Sequence, residues 1–265
     1  MSALVCVLSL ALLSSAPAEM SRAGRMLFEV APERLDARVG EWVTYQMDGG
    51  PQQGFLRLAV VAEQKDAQGR DAVWVELELG QHSELKAPLV QFLMLVARDT
   101  GLRAQGVSRL FATQGFEKPQ EVDADALPFF LGTPQTDGSR SALPPPTARL
   151  PVGQGSTVSR GKPARLMTLA GTVTAEPLEV RYRQLVLERY WVSRQLPILG
   201  LAKLELPPIR YTMEVRDYGL DARPRMVPPA PGDKKITLEP ASHLPPHFQP
   251  LPQSGAASSS EESPP

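Results

Sequence analysis

Sulfur chemistry is the first thing this chain forgoes. Its 265 residues hold a single cysteine, Cys6, inside an apolar N-terminal stretch that the sequence marks for removal. The chain that is left has no disulfide, no thiol nucleophile and no thiolate ligand for a metal. Histidine is almost as scarce, with three in all, His82, His243 and His247. A Ser-His-Asp triad in the folded part would have to use His82, which follows a strand in a polar turn, and no G-x-S-x-G elbow accompanies it. His243 and His247 have H-x-x-x-H spacing, but Pro245 and Pro246 between them forbid the helix that would align both imidazoles. "VGQGSTVSRGK" (152–162) has glycines and a lysine without the spacing of a phosphate loop. Asp123 and Asp125 have no second acidic cluster to complete a cation site. No catalytic residue, metal or cofactor is expected, and a hydrolase ranks third among the readings of function.

Charge of one sign is missing as well: 28 basic against 29 acidic residues leave a net charge of -1. Arg160, Lys162 and Arg165, with Arg181, Arg183 and Arg189, then read as a solvated sheet face, and nucleic acid is not an expected partner. Long apolar runs are absent too. Residues 3–13 are too short a run to span a bilayer as a helix, and Ala16 and Ala18 follow in the small-x-small pattern of a cleavage site. Residues 1–18 therefore read as a Sec-type signal peptide. The next longest run, 87–97, contains Pro88 and Gln91 and stops at Arg98, so no transmembrane segment is expected in the mature chain. An exported protein without disulfides suits a bacterial periplasm or secretion from a bacterium.

Alternation is what the chain does have. "EWVTYQM" (41–47) puts Val43, Tyr45 and Met47 on one face. "AVWVELEL" (72–79) sets Val73, Val75, Leu77 and Leu79 against Trp74, Glu76 and Glu78. "GFLRLAVVAE" lies between them, and the connections "DGGPQQ" and "EQKDAQGRD" are short and polar, as in an antiparallel meander. "APLVQFLMLVARDTG" (87–101) fits a buried strand or a short helix equally, and "GVSRLFATQG" reads as a strand closed by Gly115. Order weakens from Phe116, and residues 133–163 read as a Pro/Gly/Ser-rich loop. Strands resume after Leu166. In "RYRQLVLERYW" the apolar face flips near Gln184, the mark of a bulge or bend within a strand. "LAKLEL" and "RYTMEVRDYG" form a hairpin around Pro207 and Pro208. The predicted organisation is one β-rich domain over 26–226 and a disordered Pro-rich tail over 227–265.

The most patterned stretch is "WVSRQLPILGLAKLEL" (191–206). Trp191 ends a strand, Pro197 blocks ladder pairing and Gly200 permits a bend, so the stretch is a corner between two strands. The strand-borne aromatics Trp42, Tyr45, Trp74, Tyr182, Trp191 and Tyr211 are candidates either for core packing or for the lining of an apolar cavity in a curved sheet.

The G-x-W-x-x-Y opening (Gly40, Trp42, Tyr45) and the W-x-S-x-x-x-P-x-x-G-x-x-K segment (Trp191, Ser193, Pro197, Gly200, Lys203) resemble those of uncharacterised exported bacterial proteins. These in turn are similar to the lipoprotein-localisation-factor-like (LolA-like) superfamily, and the likeness covers roughly 28–220. It implies a mainly β fold, a curved antiparallel half-barrel with few short helices, around an apolar groove. It transfers no catalytic residues. The expectation is a non-catalytic envelope protein that binds a lipid or lipoprotein acyl chain in the sheet's concavity. The alternative is a structural or assembly component that binds another envelope protein through a sheet edge or the tail.

Overall fold

Alternating strands with tight polar turns pair with their sequence neighbours, and here that rule builds two meanders. The computed structural model describes residues 34–49, 53–102, 104–115, 117–127, 156–229, 233 and 235–237. The expected signal peptide, all of the tail beyond Thr237 and most of the 133–163 loop lie outside them. The first meander is β1 (Trp42–Asp48), β2 (Gly54–Lys65), β3 (Asp71–Gly80), β4 (Val90–Ala97), β5 (Val107–Gln114) and the short β6 (Gln120–Glu121). The second holds β7 (Ser156–Arg160), β8 (Ala164–Thr168), β9 (Gly171–Tyr182), β10 (Leu185–Val192), β11 (Leu201–Leu206) and β12 (Tyr211–Gly219). Three 3-10 turns, Ala104–Gly106, Ala124–Ala126 and Pro207–Ile209, punctuate them.

The sheet order is β6-β5-β4-β3-β2-β1-β12-β11-β10-β9-β7, with β8 paired to the free half of β9. The first and last strands thus meet in the middle, where β1 pairs β12 from Trp42↔Gly219 to Asp48↔Thr212. β6 and β7, consecutive in the chain, are the two outer strands of that order. The sheet is curved and does not close. Bulges account for the bending, since each inserts a residue that twists its strand. They fall between Thr44 and Tyr45, Val60 and Ala62, Leu95 and Val96, Val186 and Glu188, and Trp191 and Val192.

Most strand expectations hold: the stretch 87–101 contains strand β4, and the hairpin around Pro207 and Pro208 is β11–β12. Three details differ. The phase flip near Gln184 is not a bend within one strand but a two-residue reversal between β9 and β10, with Arg183 at φ 55. Residues 156–160, read as loop, form β7. Ile236, read as tail, forms a parallel bridge with Val122 and exchanges backbone hydrogen bonds with Glu121 and Asp123.

One face of the sheet carries the main core, with Val43, Tyr45, Leu56, Leu58, Val75, Phe92, Met94, Leu204 and Met213 among its buried members. The corner 193–200 folds onto it. Ser193 N–H donates to the Gly200 carbonyl at 2.7 Å, and Leu196, Ile198 and Leu199 are buried in the cluster. Gly200 has φ 61, as a bend there requires, but Ile198 also sits at φ 63. A β-branched residue in that region is strained, and burial of its side chain is what holds it there.

Candidate functional site

The opposite face of the first meander carries an ion-pair network that alternation alone does not reveal. The pairings align Thr44, Arg57, Glu78 and Gln91 in one row across β1 to β4, and Trp42, Ala59, Glu76, Leu93 and Phe111 in the next. Two glutamates alternating with Trp74 suggest a wet face. Both are instead 0% exposed, because the chain leaving β12 turns back and crosses this face as a strap over 221–226. Met226 joins Ala59, Val61, Leu93 and Phe111 in a second apolar cluster, with Trp42, Trp74 and Ala222 against it.

Glu76 holds the strap. Its Oε1 accepts the backbone N–H of Arg225 at 2.8 Å and of Met226 at 2.5 Å. Glu78 Oε2 accepts Arg57 Nη1 at 3.1 Å and Arg225 Nη1 at 2.9 Å, while its Oε1 accepts Gln91 Nε2 at 2.8 Å. Arg57 Nη1 also lies 3.8 Å from Glu76 Oε2, too far for a hydrogen bond, and its guanidinium lies 5.7 Å from the centre of the Trp42 ring. The Trp42 indole N–H donates to Asp221 Oδ1 at 2.8 Å. Burial pushes the Glu76 carboxyl above its ordinary range, against the pull of the two N–H donors and Arg57. Burial, reinforced by Arg225, lowers Arg57, and its glutamate partners oppose that shift.

Above this network lies a cleft of about 670 Å³. Trp42, Arg57, Arg216, Asp217, Asp221 and Arg225 line it, together with Thr44 of β1 and Ser83 and Glu84 of the β3–β4 loop. The lining contains no histidine, cysteine or lysine. Glu76, whose carboxyl burial raises, is sealed beneath the strap. The arrangement fastens a segment to the sheet. His82 is exposed on the β3–β4 loop. Among the described residues no group of three or more His, Cys, Asp or Glu is placed to hold a metal.

The six aromatics singled out from the sequence do not share one surface. Tyr45 and Tyr211 stand on the core face, Tyr45 buried and Tyr211 packed against the cluster. Trp42 and Trp74 are on the strap side, where Trp74 stacks on Phe111 with centroids 5.5 Å apart and donates to Gln64 Oε1 at 2.9 Å. Trp191 pairs with Lys203, whose Nζ sits 5.7 Å from its ring centre. Tyr182 closes β9 with the Arg183 guanidinium 5.4 Å from its ring centre.

Burial on the core face is uneven. It is tight from β1 to β5 and relaxes toward β7. Leu178, Val180, Tyr190, Leu206 and Tyr211 are only half-buried, and Val158 on β7 is 63% exposed. The pairings Val158↔Val180, Leu178↔Tyr190, Tyr190↔Leu204 and Leu206↔Tyr211 bring these side chains onto one face. Glu188, the cross-strand partner of Val180, stands among them, and its carboxylate accepts the Tyr190 hydroxyl.

No protein-family model matches the sequence, and no curated protein does. Among solved structures the chain is similar to a Bacteroides fragilis protein described as exported, with a YmcC-like fold, at 9% identity over 70% of this chain and 98% of that one, TM-score 0.30. It is similar to the Pseudomonas aeruginosa MucA/MucB complex at 13% identity over 78% of this chain, TM-score 0.35, and spans 58% of the chain matched there. A DUF1329 family protein of Desulfovibrio piger matches at 9% identity over 77% of this chain and 90% of that one, TM-score 0.26. At these scores nothing of those proteins' partners or activities is carried across.

Proposed function

We propose that this chain is a non-catalytic binding protein of the bacterial envelope, whose ligand is an apolar chain such as a lipid or a lipoprotein acyl group. The observation that carries this is the uneven core face. A curved sheet that closes its core over one half and leaves aliphatic and tyrosine side chains half-buried over the other offers a largely apolar lining, broken by Glu188, for a chain-like ligand. The candidate export signal gives the setting. Tyr211 is the aromatic from the sequence-based set that belongs to this lining, joined by Leu178, Val180, Tyr190 and Leu206. Protein purified from its own envelope and weighed by native mass spectrometry should carry an added mass removable by organic extraction. Protein that arrives at its bare mass and leaves a fluorescent fatty acid free in solution would rule the reading out.

A second reading rests on strand β7. It is outermost in the sheet order, and Thr157 to Arg160 are all exposed, so another envelope protein could add a strand there. Crosslinking from a photoreactive residue at Ser159 should then trap one protein at a fixed ratio. A smear of unrelated products would remove it.

A further inference from the structure

The cleft above the strap network carries more cation than its own acids answer. Arg57, Arg216, Arg223 and Arg225 line it, against Glu84, Asp217 and Asp221. Each of those acids already has a partner. Asp221 accepts the Trp42 indole N–H, Asp217 accepts the Tyr218 backbone N–H, and Glu84 pairs with Lys86. The arginines are less well matched. Arg57 and Arg225 both donate from Nη1 to one oxygen, Glu78 Oε2, at 3.1 and 2.9 Å, and Gln91 takes the other oxygen of that carboxylate. Glu76 spends Oε1 on the strap's backbone N–H groups, and its Oε2 lies 3.8 Å from Arg57 without a hydrogen bond. The Arg57 side chain is only 8% exposed, so solvent screens little of its repulsion from Arg225. Among the described residues Arg223 has no hydrogen bond, and Asp221 answers it by charge alone. What the arrangement is short of is negative charge and acceptors for the guanidinium N–H groups that Glu78 does not take.

We propose that this cleft is a phosphate-binding site, in which Arg57, Arg223 and Arg225 hold the phosphate oxygens of a phosphorylated small molecule or of a phospholipid head. It lies on the face opposite the half-buried apolar side chains and does not depend on the acyl-binding reading. Phosphate suits it better than a carboxylate, because it brings more charge and offers oxygens to three guanidinium forks at once. Arg57 stands on β2 and the other two on the strap, so an occupied site also ties the strap to the sheet.

The test titrates inorganic phosphate into the full-length chain at low salt and follows it by phosphorus-31 NMR. Saturable binding is expected. Arg223→Ala should weaken it about three- to tenfold, the worth of one charge-assisted hydrogen bond at an exposed position, and should melt with wild type. Arg57→Lys keeps the charge and loses the fork, so it should lose at least as much. Lys162→Ala, beyond β7 at the far end of the sheet order, should bind as wild type does. Absence of saturable binding overturns the site, and so does unchanged affinity in both arginine variants. A loss in Lys162→Ala equal to that in Arg223→Ala also overturns it, for that is diffuse attraction to surface charge. Vesicles separate the two sources of phosphate. Retention of the chain on phosphatidylcholine vesicles only when they contain phosphatidic acid, weakened by Arg223→Ala, assigns the site to a lipid head. Phosphate binding without retention assigns it to a soluble phosphate compound.

Discussion

Gly40 shows how much of the strap's path depends on one missing side chain. It has φ 95, and a Cβ built there would lie 2.4 Å from the Leu220 carbonyl oxygen, while its own carbonyl accepts the Ala222 N–H at 2.8 Å. Gly40→Ala meets both backbone strain and a backbone atom that cannot move without shifting the strap. A loss of at least about 2 kcal/mol in urea unfolding is expected, and a loss under half of that would show that the strap yields. Glu76 makes a second prediction, in pH. Its folded carboxyl titrates above the ordinary 4.5, so between that value and the raised one the folded chain holds a proton more often than the unfolded chain does. By linkage this contribution is largest at low pH and is lost as pH rises through the raised value. Asp71, lowered by its hydrogen bond to Lys65, and Glu179, lowered by those to Arg189 and Arg181, act oppositely, stabilising above their ordinary values and failing in acid. The difference between wild type and Glu76→Gln isolates the buried group. Unfolding free energies from pH 4 to 8 should fall more steeply with rising pH in wild type, and parallel curves would assign Glu76 no such shift.

The strap is the element that turns half of this sheet from one-sided to two-sided. With it in place β2 and β4 are buried on both faces, and Glu76 and Glu78 have partners; without it the same carboxylates sit beside Arg57 and Gln91 alone. A chain ending at Thr237 keeps the strap and a chain ending at Leu220 loses it. The shorter should unfold at markedly lower urea and bind a hydrophobic dye, since it exposes Phe111, Leu93 and Trp74; matching midpoints would make the strap ornamental. Legibility divides along the same line. Strands β1 to β3, β5 and β9 to β12, the corner at Pro197 and Gly200 and the hairpin at Pro207 could be read because their signals are local, resting on alternation and on φ. The reversal at Arg183 was missed because no glycine or asparagine marks a residue at positive φ there. The buried face of β3 was illegible for a different reason. Glu76 is covered by a residue 150 positions away, and the period of a strand says which side chains share a face, not what lies above it. The aromatics divide between the two faces for the same reason, since tryptophan on a strand packs equally well under a strap or inside a core.

The molecule as a whole is joined at its middle: β1 and β12 are the ends of two meanders, and their pairing places Tyr45 beside Val215 and Met47 beside Met213. A ligand on the core face would therefore touch both meanders and brace the junction between them. If the chain binds an apolar ligand only when folded, mass action sets the size of the effect. Ligand at a hundred times its dissociation constant adds about 2.7 kcal/mol, which for a domain of this size raises the melting temperature by about 5–10 °C. The binding should also carry a negative heat-capacity change, because apolar surface on the strip leaves water. A partner strand added at β7 would behave differently. It would gain backbone hydrogen bonds at the rim and brace only the second meander, so amide exchange would slow in β7 and β9 and leave β1 unchanged. Hydrogen exchange with and without methyl dodecanoate separates the two, for slowed exchange in β1 and β12 together is the outcome that an occupied core face requires.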